Sequence, residues 1–130
     1  MPLVHHELCF GCGRVNLFGL LMELEPSGPG AVAGRCFIKQ DHQGAERGVA
    51  HDGVIAAALS EAMALACGRE ARAVELAVSL EAGAQAPVGG FVELEAAVER
   101  RAGGHVHATA TALTTEDRRI VARGRGRFRM

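Results

Sequence analysis

Apolar and polar residues alternate along most of this chain, in short runs separated by turn residues. Leu20, Met22 and Leu24 alternate with Leu21, Glu23 and Glu25, and Val32, Gly34, Cys36 and Ile38 follow the turn-forming stretch Pro26-Ser-Gly-Pro-Gly30. Val74, Leu76, Val78 and Leu80 are set against Glu75, Ala77, Ser79 and Glu81; Val92, Leu94, Ala96 and Val98 oppose Glu93, Glu95 and Glu99. Val106, Ala108, Ala110 and Ala112 oppose His105, His107, Thr109 and Thr111, and Ile120, Ala122, Gly124, Gly126 and Phe128 oppose four arginines between Arg123 and Arg129. Period two over six segments predicts six strands with one wet and one apolar face, the mark of an antiparallel sheet.

One segment breaks the alternation. Gly53 to Cys67 is built from Ala, Leu, Val, Ile and Met, with Ser60 and Glu61 its only polar side chains. These are mostly strong helix formers; Asp52 is a suitable N-cap and Gly68 a suitable stop. A helix apolar all round is a buried helix. Two strands, a helix and four strands give an α+β order, with stretches such as Arg101-Ala-Gly-Gly104 suited to hairpins. The expected architecture over residues 1–130 is a single hotdog domain, a six-stranded antiparallel sheet wrapped around one central buried helix.

Length and composition narrow the function. One hundred and thirty residues suit one domain, and 48% hydrophobic with 22% charged residues fits a globular chain. There is no Trp or Tyr and only five Phe, so stacking platforms for single-stranded nucleic acid are missing. A formal charge of -1 argues against a polyanionic partner. Arg118, Arg119, Arg123, Arg125, Arg127 and Arg129 form a basic end, but their alternation with Ile120, Ala122 and Phe128 puts several on one sheet face opposite Glu75, Glu93 and Glu95. Cross-strand ion pairing accounts for them first, a CoA-phosphate contact second and nucleic acid last. Neither a leader sequence nor an apolar run of membrane length is visible, and four cysteines are too few for a secreted disulfide framework, so a reducing cytoplasm is expected.

Three stretches carry a family resemblance. Cys9-Phe-Gly-Cys12-Gly13-Arg-Val-Asn16-Leu-Phe-Gly19-Leu20 resembles the C-x-x-C-G-x-x-N-x-x-G-L opening of small hotdog-fold acyl-CoA thioesterases of the phenylacetate-degradation type. Asp41-His42-Gln43-Gly44 with Gly48-Val-Ala-His51-Asp52-Gly53-Val54 is similar to their H-Q-G…G-x-x-H-G-G-V loop, and Leu59-Ser60-Glu61-Ala62-Met63 to their L-D-E-A-M segment. The resemblance implies hydrolysis of an acyl-CoA-type thioester to free acid and CoA, at a site shared between subunits of a homodimer or homotetramer. It implies no metal and no cofactor, CoA being part of the substrate.

The chemistry expected at such a site follows from the helix. Its first N–H groups lack partners and carry partial positive charge, so the backbone at Asp52 and Gly53 could polarise a thioester carbonyl. A helix carboxylate, Glu61, would activate water or attack directly, with Gln43 or His42 placing the water. His51, His42, Ser60 and Asn16 complete the expected substrate-binding set. The sequence also departs from the family's pattern: Asp52 replaces a Gly, Ser60 replaces the usual catalytic Asp, Ala73 falls near a usual hydroxyl, and the loop from Gln43 to His51 is one residue longer.

Each candidate has a plainer reading. Glu61 reads equally as a structural carboxylate held by an Arg or by backbone, Ser60 as a hydroxyl bonded to the preceding turn, and Asp52 as an N-cap. His51 reads as the organiser of the helix entry; Gln43 and His42 as loop-packing residues. Cys9 and Cys12 form one C-x-x-C without a second pair or a suitably spaced His pair, which disfavours a zinc ribbon. His105 and His107 lack a third ligand in register, and His5 and His6, at a terminus, carry little information. The alternative function is a catalytically altered hotdog protein that binds an acyl-CoA or other small apolar ligand without hydrolysing it, as Ser60 and Ala73 would favour. A third keeps catalysis but acts on another pathway intermediate.

Overall fold

A computed structural model of the chain describes residues 1–82 and 84–130. The elements are β1 (Glu23–Gly28), β2 (Ala31–Phe37), a short 3-10 turn (Gln40–His42), α1 (Asp52–Cys67), β3 (Arg72–Leu80), β4 (Phe91–Ala102), β5 (His105–Thr114) and β6 (Ile120–Arg129). The six strands form one antiparallel sheet in the order β1-β2-β4-β5-β6-β3. α1 packs against five of them, β2 to β6, so the expected sheet around one helix is what the chain forms.

The inward faces follow the alternation on the central strands. Val92, Leu94 and Ala96 of β4, Val106, Ala108, Ala110 and Ala112 of β5, and Ala122 and Phe128 of β6 are buried against Ile55, Leu59, Ala62 and Met63 of the helix. Small residues let the helix approach closely. A Cβ on Gly124 would lie 3.2 Å from Met63 Cε and 3.4 Å from Leu59 Cβ, tighter than ordinary packing.

Both edge strands depart from expectation. β1 begins at Glu23, three residues later than the alternation predicts, and continues through Pro26 to Gly28, with the reversal at Gly30 (φ 64°). Proline interrupts a ladder only where its missing N–H is needed, and an edge strand leaves one side of its backbone free. On β3, Val74, Leu76 and Leu80 are 45 to 47% exposed, so the alternation there marks a face this chain does not bury. The arginine-rich end behaves as the pairing argument expects. Arg118 bridges Glu93 and Glu95, at 2.8 Å to the latter; Arg123 pairs with Glu81, and Arg127 with Glu75 at 3.8 Å. All are surface pairs of small energetic weight.

The helix is less uniformly covered than its composition implies. Val54, Ala57, Ser60, Glu61 and Ala64, on one stripe, stay half-buried. The segment before β1 lies there: a Cβ on Gly11 would fall 2.5 Å from Glu61 Cγ. Backbone bonds from Leu20 N to Phe10 O (2.7 Å) and from Met22 N to Gly11 O (2.9 Å) pin this segment in place. Among the described residues, no helix is long and apolar enough to cross a membrane.

Candidate functional site

The start of α1 is built by the loop that precedes it. His51, not Asp52, is the N-cap: its backbone is extended and its Nδ1 accepts from Gly53 N at 2.7 Å. The cap takes the place that a Ser or Asp oxygen usually fills, because a neutral ring nitrogen offers the same acceptor. Asp52 is therefore the first helical residue, its carboxylate in the first turn where the helix dipole favours negative charge. His51 O already receives Val54 N and Ile55 N, so the Asp52 N–H is the helix-start donor left without a partner among the described residues.

This end of the helix opens on a cleft of about 390 Å³. His51 and Asp52 stand at its polar side; Ile55, Leu80, Ala86 and Val121 supply apolar wall. Larger concavities of about 560 and 510 Å³ lie over the sheet's outer face, lined by charged residues such as Glu23, Arg35, Glu93 and Arg127. They hold none of the candidate residues.

The loop candidates turn inward on the loop. Gln43 Oε1 accepts from Gly48 N at 2.6 Å, closing the 43–51 loop, and its Nε2 donates to Gln40 O at 3.0 Å in the preceding turn. His42 is 3% exposed; its Nδ1 accepts from Lys39 N at 3.1 Å and its carbonyl from His51 N at 2.7 Å. Its Nε2 has no partner among the described residues. Burial, then the Lys39 charge, pushes the His42 pKa below its usual value, outweighing the Gly19 backbone and Asp41. The unfolded chain then binds a proton more readily than the native one, so stability falls as the pH drops below about 6.5. Chemical denaturation at pH 7 and pH 5 is expected to show wild type losing more stability than His42→Gln; equal losses would remove this assignment. Asn16 likewise serves its own turn, donating from Nδ2 to Leu8 O at 3.1 Å and accepting Phe18 N on Oδ1 at 3.2 Å.

Glu61 and Ser60 lie elsewhere. Nine residues of helix separate Asp52 from Glu61, about 13 Å at 1.5 Å per residue, so within one chain Glu61 cannot reach a carbonyl held at the helix start. Its Oε2 meets His5 Nδ1 at 2.9 Å and Cys9 Sγ at 3.5 Å. Cys12 Sγ lies 3.5 Å from the same His5 nitrogen and receives the His5 backbone N–H at 3.1 Å. Burial works to raise the Glu61 pKa, but the hydrogen bonds from His5 and Cys12 hold it below the usual value, and the same contact with Glu61 raises that of His5. Burial pushes the Cys12 thiol far up. The group borders a second cleft of about 340 Å³, shared with Ser60, Ala73 and Phe128.

No protein-family model and no curated protein matches the sequence. Its shape does have close counterparts. The PaaI protein of the E. coli phenylacetic acid degradation operon superimposes with a TM-score of 0.75 at 15% identity, over 85% of this chain and 79% of that one. Zebrafish thioesterase superfamily member 2 gives 0.72 at 19% identity, over 82% and 78%. A conserved protein from Pseudomonas aeruginosa gives 0.73 at 21% identity, over 92% and 94%. The chain has the hotdog fold. At these identities the likeness speaks for the fold.

In this hotdog chain the helix candidates thus divide between the start of the helix and its middle. His51 and Asp52 stand at the cleft at its start, with Gly53 bonded to His51 and outside the cleft lining; Ser60 and Glu61 face the N-terminal segment. His5, set aside in the sequence as a terminal residue, is the side chain that holds Glu61, and the partner is a histidine where an Arg or backbone was expected. The spacing His5-x-x-x-Cys9-x-x-Cys12 was the available signal, but Glu61 lies 56 residues further on.

Proposed function

We propose that this protein binds an acyl-CoA-type thioester and hydrolyses it to the free acid and CoA. The observation that carries the reading is the unpartnered Asp52 N–H beside the Asp52 carboxylate, at the mouth of a half-apolar cleft, on a hotdog scaffold. The amide polarises the thioester carbonyl and stabilises the oxyanion formed on attack. Asp52, the helix carboxylate nearest that carbonyl, activates the water. The His51 ring fixes the helix entry by accepting from Gly53 N, with Asp52 on the cleft lining. Gly53 N–H is already committed to His51. The leaving CoA thiolate takes the proton that Asp52 removed from water.

Glu61 is left out of this mechanism, because its carboxylate is engaged by His5 and Cys9. The half-exposed Val74, Leu76 and Leu80 on edge strand β3 support a homo-oligomer, dimer or tetramer. Four free cysteines suit a reducing cytoplasm. Free CoA released from a panel of short, medium and aromatic acyl-CoAs tests the reading. Turnover of at least one is expected, and none across the panel would overturn it.

A second reading is a hotdog protein that binds its thioester without turnover. Ser60 and Ala73, which line the second cleft together, favour it, since neither is a base at neutral pH. Saturable acyl-CoA binding without CoA release would establish it in place of the first.

A further inference from the structure

His5, Cys9, Cys12 and Glu61 each turn one donor atom toward a common point, and no two of these atoms are more than 4.8 Å apart. It is the one such group of His, Cys, Asp and Glu among the described residues. We propose that these four residues form a zinc site that clips the N-terminal segment onto the central helix. This goes beyond the hydrolase reading and does not depend on it.

The separations carry the argument. Zinc–ligand bonds of about 2.3 Å to sulfur and 2.0–2.1 Å to nitrogen or oxygen place the donors of a tetrahedron about 3.3–3.8 Å apart. Here His5 Nδ1 and Glu61 Oε2 are 2.9 Å apart, Cys9 Sγ and Glu61 Oε2 3.5 Å, Cys12 Sγ and His5 Nδ1 3.5 Å, and Cys9 Sγ and His5 Nδ1 3.8 Å. Small adjustments would give tetrahedral coordination by two sulfurs, one nitrogen and one oxygen, a donor set suited to zinc. The side chains of His5 and Glu61 are only 16% and 12% exposed, so the ion would be shielded from bulk water.

The surroundings are organised as an outer shell would be. The His5 N–H donates to Cys12 Sγ at 3.1 Å, and Arg69 Nη2 holds the His5 carbonyl at 2.8 Å. Two thiolates, a carboxylate and zinc leave a single negative charge, which the Arg69 guanidinium offsets. The turn is tight. Gly13 N bonds Cys9 O at 2.9 Å, and a Cβ on Gly13 would meet Glu7 O at 2.3 Å. Gly11 leaves room for the Glu61 side chain in the same way. Four protein ligands close the sphere, so the site is structural; it activates no water.

The test is the metal content of tag-free full-length protein, expressed with zinc supplied and dialysed into metal-free buffer. One zinc per chain is expected, with a second readout from cobalt: Co²⁺ added to stripped protein should give the thiolate charge-transfer and strong visible bands of a tetrahedral site. Cys12→Ser and Glu61→Gln should each weaken zinc binding by more than the 10- to 100-fold that changes outside the ligand set typically cost. Cys67→Ser, buried away from the cluster, should keep the zinc. Should the ligand variants fail to fold, wild type still decides: Cys9 should resist alkylation until a chelator removes the zinc. Zinc-free protein with native circular dichroism would overturn the site. So would zinc retained by Cys12→Ser, or a Cys9–Cys12 disulfide, seen as the loss of two hydrogens in mass.

Discussion

Replacing Asp52 with Asn is expected to lower kcat for thioester hydrolysis by about 10²- to 10⁴-fold, the usual share of a general base. The substitution keeps the shape of the side chain and the backbone N–H that receives the carbonyl oxygen, so KM should change little. The first turn loses a negative charge favoured by the helix dipole, about 0.3–1 kcal/mol, too little to unfold the protein. Glu61→Gln provides the contrast. Its carboxylate sits among His5, Cys9 and Cys12, so the folded fraction should keep its kcat while losing stability. If Glu61→Gln abolished turnover and Asp52→Asn did not, the base would be Glu61 and the roles assigned to the two carboxylates would be reversed.

Phe128→Ala is expected to cost about 3–5 kcal/mol of folding stability, from lost apolar burial and the cavity left behind. Phe128 is the largest of the fully buried side chains, while Phe10, Phe18 and Phe37 are 49, 80 and 41% exposed. In a chain without Trp or Tyr it is the one fully buried Phe among the described residues, enclosed by an Ala-rich helix and by strands that present Ala and Gly. Small neighbours have few rotamers with which to fill the space. Against a typical total of 5–15 kcal/mol the loss is severe. The midpoint of urea denaturation measures it; a loss under about 1 kcal/mol would mean the core collapses around the gap.

The layout of the fold was legible because its signals are local. Alternation along β4, β5 and β6 and the mostly apolar run of α1 each lie within about sixteen residues, and together they leave one way to bury both. The edges were harder to read. On β1 the turn chemistry of Pro26 to Gly30 suggested a reversal too early, since sequence alone does not say which strand is an edge that tolerates proline. On β3 the apolar positions were found but their face stays half open, because alternation reports a face without saying what covers it.

The site divides in the same way. Its helix start was visible in the loop and apolar run, with His51 as the organiser of the helix entry. The cap nonetheless moved from Asp52 to His51, because carboxylates are the commoner caps and sequence does not show which acceptor reaches the N–H. Asp52 thereby became a carboxylate beside a free amide instead of a cap. The surroundings of Glu61 were not legible. They depend on a segment without periodicity folding back across the helix, which joins His5 to a residue 56 positions away.

The central claim is that the thioester carbonyl is received at the start of the helix. A crystal structure of the Asp52→Asn protein soaked with a hydrolysable acyl-CoA tests it most directly, since slow turnover lets the substrate persist. The account predicts the carbonyl oxygen about 2.7–3.1 Å from the backbone N–H of position 52, with the acyl chain along Ile55, Leu80 and Val121. A carbonyl seated instead against Glu61, with no contact to any helix-start amide, would contradict it.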